Sequence, residues 1–209
     1  MLQNNTNALI IVDVQNDFCE GGNLEVEDAD KIVPVINKIS PHFDKVVATQ
    51  DWHPSEHRSF ASNHEDKEPF DSINLNDREQ TLWPDHCVQG SDGAQFHPDL
   101  DLEPVNLIIR KGTNVNIDSY SAFRENDRKT ITGLYGYLDR LDVQHVFITG
   151  LATDVCVMFT ALDASQLGLD TFLIEDATRG IDQPKGSLDK SMQKMEENDV
   201  KILQSSDII

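Results

Sequence analysis

Four short apolar runs in this sequence are each followed by side chains able to do bond chemistry. Asp13 follows Leu9–Val12, Asp51 and His53 follow Val46–Ala48, Lys111 follows Leu107–Ile109, and Thr153-Asp154-Val155-Cys156 follows Val146–Thr149. If the runs are neighbouring parallel strands, all four sets emerge at one edge, and open α/β sheets bind ligands at the carboxyl ends of their strands. A single acid after a strand is ordinarily a turn or cap residue; the coincidence of four carries the reading. Cys156 stands out among them. With Thr153 or Asp154 capping the next helix, its thiol sits in the first turn, where free N–H groups and the dipole favour a thiolate. The same N–H groups stabilise an oxyanion when sulfur attacks a carbonyl. The alternative is a buried helix cysteine, and the segment by itself leaves both readings open. A nucleophilic thiol also needs a base and a group that stabilises developing charge, roles that Asp13 and Lys111 suit.

Asp51-Trp52-His53-Pro54 carries a second signal. Proline biases the residue before it toward extended backbone, where residues two apart project to the same side. Asp51 and His53 can therefore share one metal ion. A third ligand is wanted, with His57 and His86 as candidates and Cys87 as another. One carboxylate and two imidazoles with open positions suit one divalent metal ion such as zinc, iron or manganese.

The elements that must position these groups alternate along the chain. Strand-like runs recur at Leu9–Val12, Val46–Ala48, Leu107–Ile109, Val146–Thr149, Phe172–Ile174 and Lys201–Leu203. They are nearly continuous in apolar residues, as strands buried on both faces are. Helical spacing is read over 29–39 with Asp28 or Asp30 as cap, over 154–167 ending at Gly168, and more weakly over 131–141 and 187–197 with Ser187 as cap. The expectation is a doubly wound α/β fold with a mostly parallel six-stranded sheet and helices on both faces. At 209 residues a single domain over 1–209 is expected. Residues 50–105 break the rhythm. They hold both tryptophans and five of the seven histidines, so they read as a functional, irregular metal-site insertion.

Acidic residues outnumber basic ones 37 to 17, and a formal charge of -20 repels phosphate backbones and anionic lipid. Nucleic acid is not an expected partner. The longest apolar run, Ala8–Val12, is far short of a membrane span, so no membrane partner is expected either. The first fifteen residues lack a basic region followed by a long apolar one, and three cysteines are too few for a disulfide framework. A cytoplasmic protein is expected, and a homo-oligomer is compatible with the sequence. No G-x-G-x-x-G, P-loop, G-x-S-x-G or H-E-x-x-H pattern occurs.

Ile11-Val-Asp-Val-Gln-Asn-Asp-Phe18, Asp51-Trp-His-Pro54, Trp83-Pro-Asp-His-Cys87, Lys111-Gly112, Asp118-Ser-Tyr-Ser-Ala-Phe123 and Gly150-Leu-Ala-Thr-Asp-Val-Cys-Val157 resemble, in order, the motifs of the isochorismatase-like cysteine hydrolases. Within them the pattern is most similar to the nicotinamidase or pyrazinamidase branch, whose activity serves NAD salvage and pyridine nucleotide biosynthesis. The resemblance implies a triad of Asp13, Lys111 and Cys156, an oxyanion hole from the N–H groups of Ala152 and Cys156, and a cis peptide between Leu151 and Ala152. It implies Asp51, His53 and His86 as metal ligands, with His57 near the metal in some relatives, and Phe18, Trp83 and Tyr120 around a pyridine ring. The activity it implies is hydrolysis of nicotinamide to nicotinate and ammonia through a thioester. A hydrolase of another small amide on the same scaffold, or a metallohydrolase that uses water directly, are the other readings.

Overall fold

The computed structural model describes residues 7–75 and 77–209, so the reading of the chain's beginning rests partly on residues outside those described. Strands β1 (Asn7–Val12), β2 (Lys45–Asp51), β5 (Leu107–Lys111), β6 (His145–Leu151), β7 (Asp170–Arg179) and β8 (Lys201–Leu203) form one six-stranded sheet. Each of the six expected runs lies inside one of these strands. The spatial order is β5-β2-β1-β6-β7-β8, and every pairing is parallel. Numbered along the chain within this sheet, that order is 3-2-1-4-5-6, the doubly wound arrangement. Winding reverses between β1 and β6, and the crevice opens there.

Burial explains why the central strands are apolar without alternation. Leu9 and Ile11 of β1 join a core that contains Ile32, Ile36 and Ile39, whereas Ala8, Ile10 and Val12 join a second core with Leu134, Leu138, Ala161 and Met195. Each fully buried Leu or Ile contributes about 1.5–3 kcal/mol, so a central strand needs helices on both faces. Those helices are α1 (Val33–Ile39), α2 (Leu134–Arg140), α3 (Met158–Gln166) and α4 (Ser187–Glu196). Among the described residues no helix is long and apolar enough to cross a membrane.

Three local expectations are corrected. The 29–39 segment splits into a 3-10 turn, Ala29–Ile32, and then α1, with Pro34 in the first turn where its missing N–H costs nothing. Asp28 occupies the N-cap of the 3-10 turn at φ 62° but makes no side-chain cap bond, and the Asp30 carboxylate accepts the Glu20 N–H at 2.9 Å. Gly186, at φ 86°, occupies the N-cap of α4, and the Ser187 hydroxyl donates to Asp154 Oδ2 at 2.5 Å. The third concerns residues 50–105, which contain an antiparallel hairpin of β3 (Ser72–Leu75) and β4 (Arg78–Thr81) apart from the main sheet. Its strands carry too few buried residues to produce a period in the sequence.

Candidate active site

Asp13 and Cys156 leave the two strands that flank the reversal, while Asp51 and Lys111 are register partners at the ends of β2 and β5. Gly150 makes the close approach of β6 to β1 feasible: at φ 104° it has no Cβ, and one would lie 2.0 Å from the Val12 carbonyl oxygen. The expected cis peptide between Leu151 and Ala152 is present.

Lys111, fully buried, sits at the centre. Its Nζ lies 2.8 Å from Asp13 Oδ2, 3.5 Å from Cys156 Sγ and 2.9 Å from the Ser119 carbonyl oxygen, and it also donates to Asp51 Oδ1. Asp13 Oδ1 accepts the Thr49 hydroxyl at 2.6 Å. Asp13 Oδ2, that ion pair with Lys111 aside, has no hydrogen-bond partner among the described residues. One atom each of Asp13, Asp51 and Cys156 lie within 4.8 Å of one another. Burial pushes Asp13 up to about 6 despite the opposing Lys111 ammonium. Burial also drives the Cys156 thiol well above its ordinary value, against the pull of Lys111. Lys111 stays charged because Asp13 and Asp51 outweigh its desolvation.

The expected helix cap at Thr153 or Asp154 is corrected by this geometry. Residues Thr153–Val157 form a single π turn ahead of α3, and neither Thr153 nor Asp154 caps it. Val155 and Val157 both donate to the Ala152 carbonyl, the Thr153 and Thr178 hydroxyls bond each other at 2.7 Å, and the Asp154 carboxylate is engaged elsewhere. Such wide turns inside helices are frequent at functional sites. Burial disfavours ionisation of the sulfur, and the Asp13 carboxylate close by is the base placed to take its proton.

Asp51, His53 and His86 also converge, with one donor atom from each within 4.8 Å of the others. His53 Nδ1 lies 2.9 Å from the Gly112 carbonyl oxygen and His86 Nδ1 lies 2.8 Å from that of Pro84. Each carbonyl accepts from Nδ1, and each Nε2 is left facing Asp51 Oδ2, at 3.6 and 4.0 Å. Gly112 is required here, since a Cβ would lie 2.3 Å from the His53 ring. Burial opposes ionisation of Asp51, yet Lys111 and His53 hold it well below the carboxylate range. Burial and neighbouring His53 push His86 down to about 4, whereas Asp51 outweighs burial and raises His53. An ionised carboxylate and imidazole lone pairs are what a divalent ion needs, so the donor set fits one. His57 is engaged otherwise, with Nδ1 2.6 Å from Ser59 Oγ and Nε2 3.3 Å from the Ile117 carbonyl oxygen; it groups with His53 and Asp118 instead. Cys87 is fully buried and belongs to neither group.

Phe18, Trp83 and Tyr120 line a cavity that also reaches Asp51, His86 and Cys156. All the expected site residues are thus brought together. Asp118, Leu24, Val155 and Ile181 line the same cavity without having been singled out. Asp118 had a signal, since it opens the quoted Asp118–Phe123 motif; the apolar three look like any core residue in the sequence.

A doubly wound parallel sheet that carries, at its reversal point, a buried acid–lysine–cysteine cluster beside a carboxylate–imidazole donor set has the architecture of an isochorismatase-like hydrolase. The chain belongs to the isochorismatase family: the Isochorismatase domain model matches residues 7–206. A nicotinamidase of Acinetobacter baylyi is 54% identical over 209 residues, covering 100% of this chain and 97% of that protein. Among solved structures, a nicotinamidase/pyrazinamidase of Acinetobacter baumanii superposes with a TM-score of 0.97 at 52% identity, covering 99% of this chain and 100% of that one. A pyrazinamidase of Pyrococcus horikoshii in complex with zinc has a TM-score of 0.78 at 35% identity, covering 95% of this chain and 99% of that one.

Proposed function

We propose that this protein, as a single domain, is a metal-containing cysteine amidase that hydrolyses nicotinamide to nicotinate and ammonia and accepts pyrazinamide. The observation that carries this is the meeting of Cys156 Sγ, Asp13 and Lys111 at an aromatic-lined cavity with a metal donor set on its wall. The names of its near relatives support the same substrate, and the reading includes a role in NAD salvage in the cytoplasm.

Phe18, Trp83 and Tyr120 enclose the ring and exclude water from its faces. Asp51, His53 and His86 hold a divalent ion, zinc, iron or manganese, which when bound supplies a Lewis-acid contact for the ring nitrogen. Asp13 takes the Cys156 proton, and sulfur attacks the amide carbon. The N–H groups of Ala152 and Cys156 receive the oxyanion. Asp13 then passes the proton to the departing nitrogen, ammonia leaves, and a thioester remains. Asp13 next accepts a proton from the water that cleaves the thioester. Lys111 keeps the cluster near neutrality as the negative charge moves from Asp13 to sulfur and back.

An ammonia-release assay on nicotinamide, with bound metal quantified on the same sample, tests the reading. Turnover with about one divalent ion per chain is expected, together with loss of turnover after chelation. Metal-loaded protein that releases no ammonia from either nicotinamide or pyrazinamide overturns it.

A further inference from the structure

The cavity described above has a larger neighbour. A second, larger space is lined by Gln80, Arg78, Asn126 and Phe159, and shares Asp118 and Tyr120 with the first. Those two side chains are therefore the partition between an outer space and the inner one that holds Cys156.

Gln80 secures the partition. It lies on β4 and is the one buried residue of the hairpin strands. Its Nε2 donates to Asp118 Oδ2 at 2.7 Å and to the Thr81 carbonyl oxygen at 2.8 Å, and lies 3.4 Å from the Tyr120 hydroxyl. Trp83 Nε1 donates to that same hydroxyl at 3.3 Å. Asp118 is fixed from its other side as well, since Oδ1 accepts the Ser119 N–H at 2.8 Å. Nothing in this set belongs to the acid–lysine–cysteine cluster.

We propose that Gln80 is a specificity-determining positioning residue: by pinning Asp118 and Tyr120 it keeps the inner cavity walled off, and so restricts substrates to carboxamides of unsubstituted six-membered aromatic rings. The inference rests on the amidase reading and adds the limit on ring size. With the amide carbon held at Cys156, a ring substituent has to project into a wall, and the Gln80-held wall has open space behind it. Shortening Gln80 frees Asp118 and Tyr120 to move outward and joins the two spaces.

The test measures kcat/KM of wild type and Gln80→Ala on nicotinamide and on its 2-, 4-, 5- and 6-methyl derivatives. One methyl group in a tight apolar site is worth about tenfold or more in discrimination. For at least one derivative, the ratio of its kcat/KM to that of nicotinamide is expected to rise about tenfold in the variant. A merely structural role lowers all five substrates together and leaves every ratio unmoved; unmoved or falling ratios overturn the proposal. Gln80→Asn, which retains the amide one methylene short, gives the same direction if the alanine variant fails to fold. Absence of wild-type turnover on nicotinamide refutes the amidase reading instead, so the two failures are distinct.

Discussion

Asp13 has the harder task in this site, because burial raises the Cys156 thiol and the carboxylate beside it must remove the proton. The same burial sets the pH response. A carboxyl raised to about 6 is ionised above that pH and able to accept; below it, protonation removes the base. The kcat/KM for nicotinamide is therefore expected to be level above about pH 7 and to fall about tenfold per unit below about pH 5.5. A profile flat down to pH 4.5 would assign the proton transfer elsewhere. Replacing Cys156 with Ala should lower kcat by at least about 10³-fold while far-UV circular dichroism and metal content stay unchanged. Retention of substantial turnover would instead support direct attack by water. At this scale Asp13, Lys111, Cys156 and the Asp51–His53 pair were legible because each lies at or just beyond a strand end, whereas His86 was one of three candidates for the third donor and was singled out only by the family resemblance. Thr49 and Ser119 were not: Thr49 is one more polar residue inside a strand, and Ser119 holds Lys111 through a backbone carbonyl, which residue type does not encode.

The elements that carry these groups are joined by buried polar contacts that hydrophobic periodicity cannot reveal. Asp154, two residues before Cys156, accepts the Ile181 N–H at 2.9 Å, the Asp182 N–H at 3.0 Å and the Ser187 hydroxyl at 2.5 Å. It ties the π turn to the wall residue Ile181 and to the first turn of α4. The sequence suggested a cap because Asp before a helix usually is one, and a link to a segment nearly thirty residues away has no local signature. Asp154→Ala strands partly buried donors at about 1–3 kcal/mol each, so the urea midpoint should fall clearly. Ser187→Ala, which removes a single contact, should lower it less, and equal midpoints for Asp154→Ala and wild type would remove this link from the account. The strands themselves were legible because burial on both faces leaves continuous apolar runs. The β3–β4 hairpin was not, since exposed strands outside the main sheet carry no such run.

Across the whole molecule, a formal charge of -20 acts on substrate and product differently. Nicotinamide is neutral and gains nothing from long-range steering, whereas nicotinate is an anion and is repelled by the summed field. Screening lengths run from about 30 Å at 0.01 M salt to about 3 Å at 1 M, so the repulsion is strong in dilute buffer and nearly absent in concentrated salt. The inhibition constant of nicotinate should accordingly fall severalfold between about 0.01 and 0.5 M sodium chloride. The KM for nicotinamide should change much less over the same range, because hydration and packing dominate its binding. Parallel measurement of both constants decides between two sources of the potential. If nicotinate inhibition is independent of salt, the buried Lys111 and its neighbours govern the anion locally and the surface acidity serves solubility alone. If it strengthens with salt as expected, the acidic surface assists product release at a range that the buried groups of the site do not reach.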